Sequence, residues 1–203
     1  MRFRFSRPAV AGVTALTLLA GTASATASAT GASPGTPKPT IVLVHGAWAD
    51  SSSWAPVIER LRRDGYPVRA IADRLQGLTS DTAYLTSCLA TIDGPKVLVG
   101  HSYGGAVITN AATAVTGVKS LVYIAGFIPA KGETLGELAA KSTPPLPLIT
   151  TPVPGGAEVT IDPARFRSAF AGDLDKTTAA DLAVTQRPAN TRAVTAIVEQ
   201  AAR

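Results

Sequence analysis

A chain of 203 residues with 46% hydrophobic and 16% charged composition has apolar material for one α/β domain with a substantial core, and too little for two. Its formal net charge of +5 falls to +2 once Arg2, Arg4 and Arg7 are set aside, so charge argues for neither a nucleic-acid nor a membrane partner. A single cysteine, Cys88, excludes an internal disulfide, and with only two histidines, His45 and His101, no metal centre is expected.

The basic start from Met1 to Arg7, the uncharged run Ala9 to Ala20 and the following Ala-x-Ala repeats predict a secretory signal peptide over residues 1–29, cut after Ala25 or Ala29. The apolar run is shorter than the roughly 20 residues that span a bilayer, so the mature chain is expected to be exported without a membrane anchor. Residues 30–39, rich in Gly, Ser, Pro and Thr, read as a flexible leader to a domain over 40–203.

Thr40 to Val44 is a continuous aliphatic run, the pattern of a strand buried on both faces of a parallel sheet. A helix follows from the caps at Asp50 to Ser53, with Val57, Ile58 and Leu61 as its apolar face and Gly65 as its stop. Pro67 to Ala72 reads as a second strand and Ser80 to Ile92 as a second helix facing the core through Tyr84, Leu85, Cys88, Leu89 and Ile92. Lys96 to Gly100 is a third strand, Gly104 to about Val115 a third helix, and Lys119 to Ala125 a fourth strand. Three successive βαβ units predict a parallel sheet with helices on both faces. Beyond Phe127 the prolines at 144, 145, 147, 152 and 154 interrupt the chain, and short helices are expected near Glu133–Lys141, Pro163–Phe170, Thr177–Gln186 and Asn190–Ala202. Arg60, Arg62, Arg63, Arg69 and Arg74 read as a solvated face.

Gly100-His101-Ser102-Tyr103-Gly104 matches Gly-x-Ser-x-Gly between a buried strand and a helix, the context in which that pattern lifts a serine hydroxyl clear of a sheet edge. Ser102 is therefore the candidate nucleophile, and the N–H of Tyr103, at the helix start, faces a developing oxyanion. His45-Gly46-Ala47-Trp48 follows the first strand at the same sheet edge and offers a second donor, the Ala47 N–H.

These stretches, Ile-Val-Leu-Val-His-Gly-Ala-Trp and Val-Leu-Val-Gly-His-Ser-Tyr-Gly-Gly-Ala-Val, resemble the α/β-hydrolase superfamily, in particular its small bacterial esterase-like members and the plant hydroxynitrile lyase and methylesterase group. The resemblance implies an α/β-hydrolase sheet and a cap over 127–203. It also implies a cofactor-free reaction in which Ser102 attacks a small ester through an acyl-enzyme, with Ala47 and Tyr103 as oxyanion donors.

That family takes its base from a histidine beyond the cap, after further strands, and the chain reaches Arg203 first. His101 adjoins the serine and is expected to point away from it, and His45 is expected to brace the oxyanion loop. Glu133 lies where some relatives place their acid but reads as a helix-start residue, and Asp73, Asp162 and Asp173 carry no motif. The expectation is a serine hydrolase lacking its late strands and catalytic histidine, and so weak or inactive alone. The alternatives are a non-catalytic small-molecule binding module and an inactive truncated remnant.

Overall fold

The computed structural model describes residues 37–141 and 144–195. The expected signal peptide, most of the leader and the end of the last expected helix lie outside these residues.

β1 (Thr40–Val44) is buried at every position after Thr40, as its unbroken aliphatic run requires. It pairs in parallel with β2 (Val68–Ile71) on one side and β3 (Lys96–His101) on the other, and β4 (Val118–Ile124) joins β3, giving the order β2-β1-β3-β4. Alternation along the strands assigns two faces. Ile41, Leu43, Val97 and Val99 turn towards Trp54 and helix α1 (Ala55–Arg63). Val42, Val44 and Leu98 pack with residues of α2 (Leu78–Ala90) and α3 (Tyr103–Ala111). β1 and β3 are thus packed on both faces, while the edge strand β4 leaves Val122 38% and Ile124 47% exposed. The five expected surface arginines are all exposed.

Two helix faces differ from expectation by one residue. On α1, Ile58 and Leu61 meet the sheet three residues apart, which turns neighbouring Val57 about 100° away to 39% exposure. On α2, the inward stripe is Leu78, Asp81, Leu85 and Leu89, so Cys88 is half-buried rather than core-facing. Tyr84 lies at the surface under the Arg74 guanidinium. α3 is also shorter than predicted, ending at Ala111 before a 3-10 turn.

The region after Phe127 is not wholly helical. The short helices α4 (Leu135–Ala139), α5 (Phe166–Phe170), α6 (Lys176–Val184) and α7 (Arg192–Thr195) fall near their expected places. Between and after them, β5 (Leu148–Val153), β6 (Gly156–Ile161) and β7 (Ala189–Asn190) form an antiparallel sheet in the order β5-β6-β7. The prolines had argued against strands here. β5, however, is an edge strand, where the N–H that Pro152 lacks can face outward without removing a ladder bond. Pro154-Gly155 forms the hairpin turn, with Gly155 at φ 83°. β6 lends Ile161 to a second, smaller apolar cluster with Phe166, Ala171, Ala179 and Ala183.

Candidate active site

β3 ends at His101 and α3 begins at Tyr103, leaving Ser102 alone to make the turn at φ 49°, ψ −120°. Positive φ is uncommon for a residue with a side chain and persists only where the surroundings fix it. Here the Ser102 N–H donates to the Ile124 carbonyl at 3.3 Å, and its own carbonyl accepts from the N–H groups of Gly105 and Phe127, each at 3.0 Å.

The small residues around the serine are required by close approach. A Cβ on Gly100 would lie 2.5 Å from the Gly104 carbonyl oxygen, and one on Gly104 would lie 2.5 Å from that of Val44. A Cβ on Gly46 would meet the Ser102 Cβ at 2.7 Å, so the loop after β1 is packed directly on the elbow, with Ala47 next in the chain. Among the described residues, neither the Ala47 nor the Tyr103 N–H donates to another protein group. For Tyr103 that follows from its place in the first helical turn, where N–H groups have no intrahelical acceptor.

Among the described residues, neither histidine is hydrogen-bonded to Ser102. His45 is fully buried, its Nδ1–H donates to the Gly46 carbonyl at 2.8 Å, and its Nε2 accepts the Asp73 N–H at 2.9 Å. Burial holds its pKa below the ordinary histidine value, which matches a neutral ring with one donor and one acceptor nitrogen. His101 belongs to the α1 face of β3, edge-on to Trp54 with ring centroids 6.4 Å apart, and burial lowers its pKa too.

The acids divide similarly. Glu133 accepts the Ala130 N–H at 2.7 Å and closes the turn before α4, Asp162 pairs with Arg165 at 3.1 Å, and Asp173 is exposed. Asp73, which carried no sequence motif, is buried beside the site. One of its oxygens accepts the Leu75 N–H at 3.3 Å, and the other has no partner among the described residues. Burial, reinforced by the nearby Asp81 carboxylate, pushes its pKa up to about 7. Asp81 itself was missed. It accepts the Gln76 and Gly77 N–H groups and the Tyr103 hydroxyl, the last at 2.8 Å, and so ties the first residue of α3 to the start of α2. Burial and this neighbouring carboxylate raise the Tyr103 phenol well above its usual range. The available signal was position: an aspartate just past β2 and another in the first turn of α2 both fall near the sheet edge that carries Ser102. Among the described residues, no group of three or more His, Cys, Asp or Glu side chains is arranged to hold a metal.

Comparison with known proteins bears on the family and the fold. A family model described as "Alpha/beta hydrolase family" matches residues 41–202. The carbendazim hydrolyzing esterase of Nocardioides sp. (strain SG-4G) is 34% identical over 118 residues, covering 51% of this chain and 48% of that protein. The chain spans about half the length of the curated relatives it matches. Among solved structures, an extracellular alpha/beta-hydrolase from a Paenibacillus species superimposes with a TM-score of 0.63 at 20% identity, covering 80% of this chain and 71% of that one. A pyrethroid hydrolase from Sphingobium faniae JZ-2 does so with a TM-score of 0.64 at 22% identity, covering 81% and 73%. These two likenesses establish the fold. With a serine at a strand-to-helix elbow, a parallel sheet flanked by helices and a family model spanning most of its length, the chain belongs to the alpha/beta hydrolase family.

Proposed function

We propose that the chain carries the nucleophile and oxyanion donors of an exported esterase-like serine hydrolase acting on small esters. The observation that carries this reading is the backbone of Ser102, held at φ 49° between β3 and α3 with the Gly46 loop packed on its Cβ. Ser102 Oγ adds to the ester carbonyl carbon while its proton passes to water or to an external base such as imidazole, which returns it to the leaving alkoxide, and the Ala47 and Tyr103 N–H groups take the negative charge on the carbonyl oxygen. Collapse of the adduct expels the alcohol and leaves an acyl-serine, which water cleaves to the acid.

The names of the esterase and pyrethroid hydrolase relatives support small esters as the substrate class. Export follows from the reading of residues 1–29 as a signal and 30–39 as a leader, with 127–203 as the cap, and the extracellular Paenibacillus neighbour supports it. Among the described residues no helix is long and apolar enough to cross a membrane. Neither histidine can activate Ser102 in this arrangement, so the chain alone is a slow catalyst. Loss of the base costs several powers of ten, while an oxyanion hole and binding alone retain about 10³-fold over water.

The test is labelling with a fluorophosphonate probe and turnover of p-nitrophenyl acetate, each with and without added imidazole as an external base. We expect slow labelling, acceleration by imidazole, and loss of both activities in Ser102→Ala. Labelling undiminished by that substitution overturns the reading. The full commitment of both His45 nitrogens favours a second one, a binding module with an intact pocket and no transfer. It predicts saturable ester binding, with no acyl group left on Ser102 even in imidazole.

A further inference from the structure

Outside the elbow, three non-glycine residues near the site have positive φ, Ala125 at 42° after β4, Trp48 at 62° and Leu75 at 58°, and the last two face the cap. Trp48 and Leu75 lie on different loops, after β1 and after β2, and each gives its carbonyl to the same stretch of the cap. The Arg187 N–H donates to Trp48 at 3.4 Å, forming an isolated antiparallel bridge, and the Asn190 N–H donates to Leu75 at 2.8 Å. Trp48 is tied to the cap twice more. Its indole Nε1–H donates to the Val159 carbonyl of β6 at 3.0 Å, and its ring meets Phe170 of α5 edge-on with centroids 5.7 Å apart. It packs against both apolar clusters. The Leu75 loop also contains Asp73, whose N–H fixes His45, the residue that starts the oxyanion loop.

We propose that Trp48 is a positioning residue: it couples the neighbouring Ala47 N–H to the 187–190 segment and β6, so that this oxyanion donor is in place only while the cap is docked. The proposal rests on the hydrolase reading above. A left-handed tryptophan relaxes towards ordinary φ when its restraints go. That rotation turns the peptide joining Ala47 to Trp48 and shifts the Ala47 backbone. Displacing a reacting group by about 1 Å costs on the order of 10²-fold in rate, so partial loosening is visible in kinetics before it is visible in stability.

The experiment compares the parent chain with Trp48→Phe, which keeps a ring but loses the indole donor, and with Phe170→Ala, which removes the cap's side of the contact without touching the oxyanion loop. The readouts are the maximal rate and the half-saturation of fluorophosphonate labelling at Ser102, the thermal midpoint, and amide hydrogen exchange over residues 45–49. We expect the maximal labelling rate to fall about tenfold in both variants with half-saturation within about twofold, and exchange over 45–49 to quicken in both. A contact that only stabilises the fold would lower the midpoint and leave the maximal rate alone. The coupling is overturned if labelling rate and exchange over 45–49 both match the parent in the two variants. Should the parent itself not label at Ser102, the hydrolase reading falls, and exchange over 45–49 in Phe170→Ala still decides whether the cap holds the loop.

Discussion

Residues 40–127 and the described residues of 128–195 reach ordered structure by different means. In the first region the central strands β1 and β3 are packed on both faces, Val42, Leu43 and Leu98 have no exposed surface, and the glycines around Ser102 let backbones approach to contact. The edge strand β4 leaves apolar side chains, Val122 and Ile124, in solvent. In the second, β5 is exposed at nearly every position, Leu182 and Val184 are 44% and 78% exposed, and the buried cluster is small. Order there is set locally, by the Thr134–Glu137 capping box, the Asp175 cap of α6 and the Pro154-Gly155 turn. It is joined to the first region through Trp48 and Leu75 and through Leu135, Val159, Ala189 and Ala193, which are buried in the main apolar cluster with Val42, Val44 and Leu98. The difference teaches that the first region is specified by what it excludes from water, and the second by turns, caps and docking.

The sharpest way to break this comparison is to add the same methyl group to a glycine in each region. Gly104→Ala places a Cβ 2.5 Å from the Val44 oxygen and 2.7 Å from that of His45, both backbone atoms with no room to retreat. We expect a loss of about 3 kcal/mol or more and no cooperative thermal transition by circular dichroism. Gly132→Ala, before α4, meets nothing within 4 Å and suffers only the strain of φ 90°, about 1–2 kcal/mol. Similar losses at the two sites would contradict the contrast.

Next in size is the pair Leu98→Ala and Ile161→Ala. Both side chains are fully buried, so area alone assigns them the same loss, about 2–5 kcal/mol. If the second region opens separately, Leu98→Ala shifts the global denaturation midpoint by that amount. Ile161→Ala instead shows mainly as faster amide exchange across residues 148–190. Equal shifts in the global midpoint would mean the two regions melt as one unit.

The last effect is confined to a pH window. The pKa of Asp73 is raised from an ordinary carboxylate value to about 7, so the folded state prefers the protonated acid. The stability this contributes is complete below about pH 4 and is lost as pH rises through 7. Asp73→Asn should remove that decline, leaving a thermal midpoint that falls less between pH 4 and 8 than the parent's. Parallel midpoint curves for the two proteins would show that this carboxyl does not titrate in folding.

The two regions were also unequally legible. β1 and β3 announced themselves because strands buried on both faces leave unbroken aliphatic runs, and the elbow because Ser102 has glycines two residues to either side. The phase of a helix was harder. Cys88 beside Leu89 and Val57 beside Ile58 are separated by one residue, and only the neighbour that fills the space decides which turns inward. In β5, the proline signal was sound about local backbone but silent about the edge, where a missing N–H carries no penalty. Thr150-Thr151 and Val159-Thr160-Ile161, flanking Val-Pro-Gly-Gly, were the countervailing evidence for a hairpin. At the site, residue types with known chemistry were readable, but the polar supports were not. Asp73 and Asp81 act through the loops that they hold, and no spacing encodes that.

The strand order has one more consequence, in time. β1 cannot take its place between β2 and β3 until the chain has travelled through two helical crossovers, because its partner positions lie as far away as Gly100. β5 and β6 need only close a two-residue turn, an event of about 1–10 μs for an isolated hairpin. The central sheet leaves the ribosome first and closes late, while the hairpin leaves late and closes at once. The two sheets therefore keep different clocks.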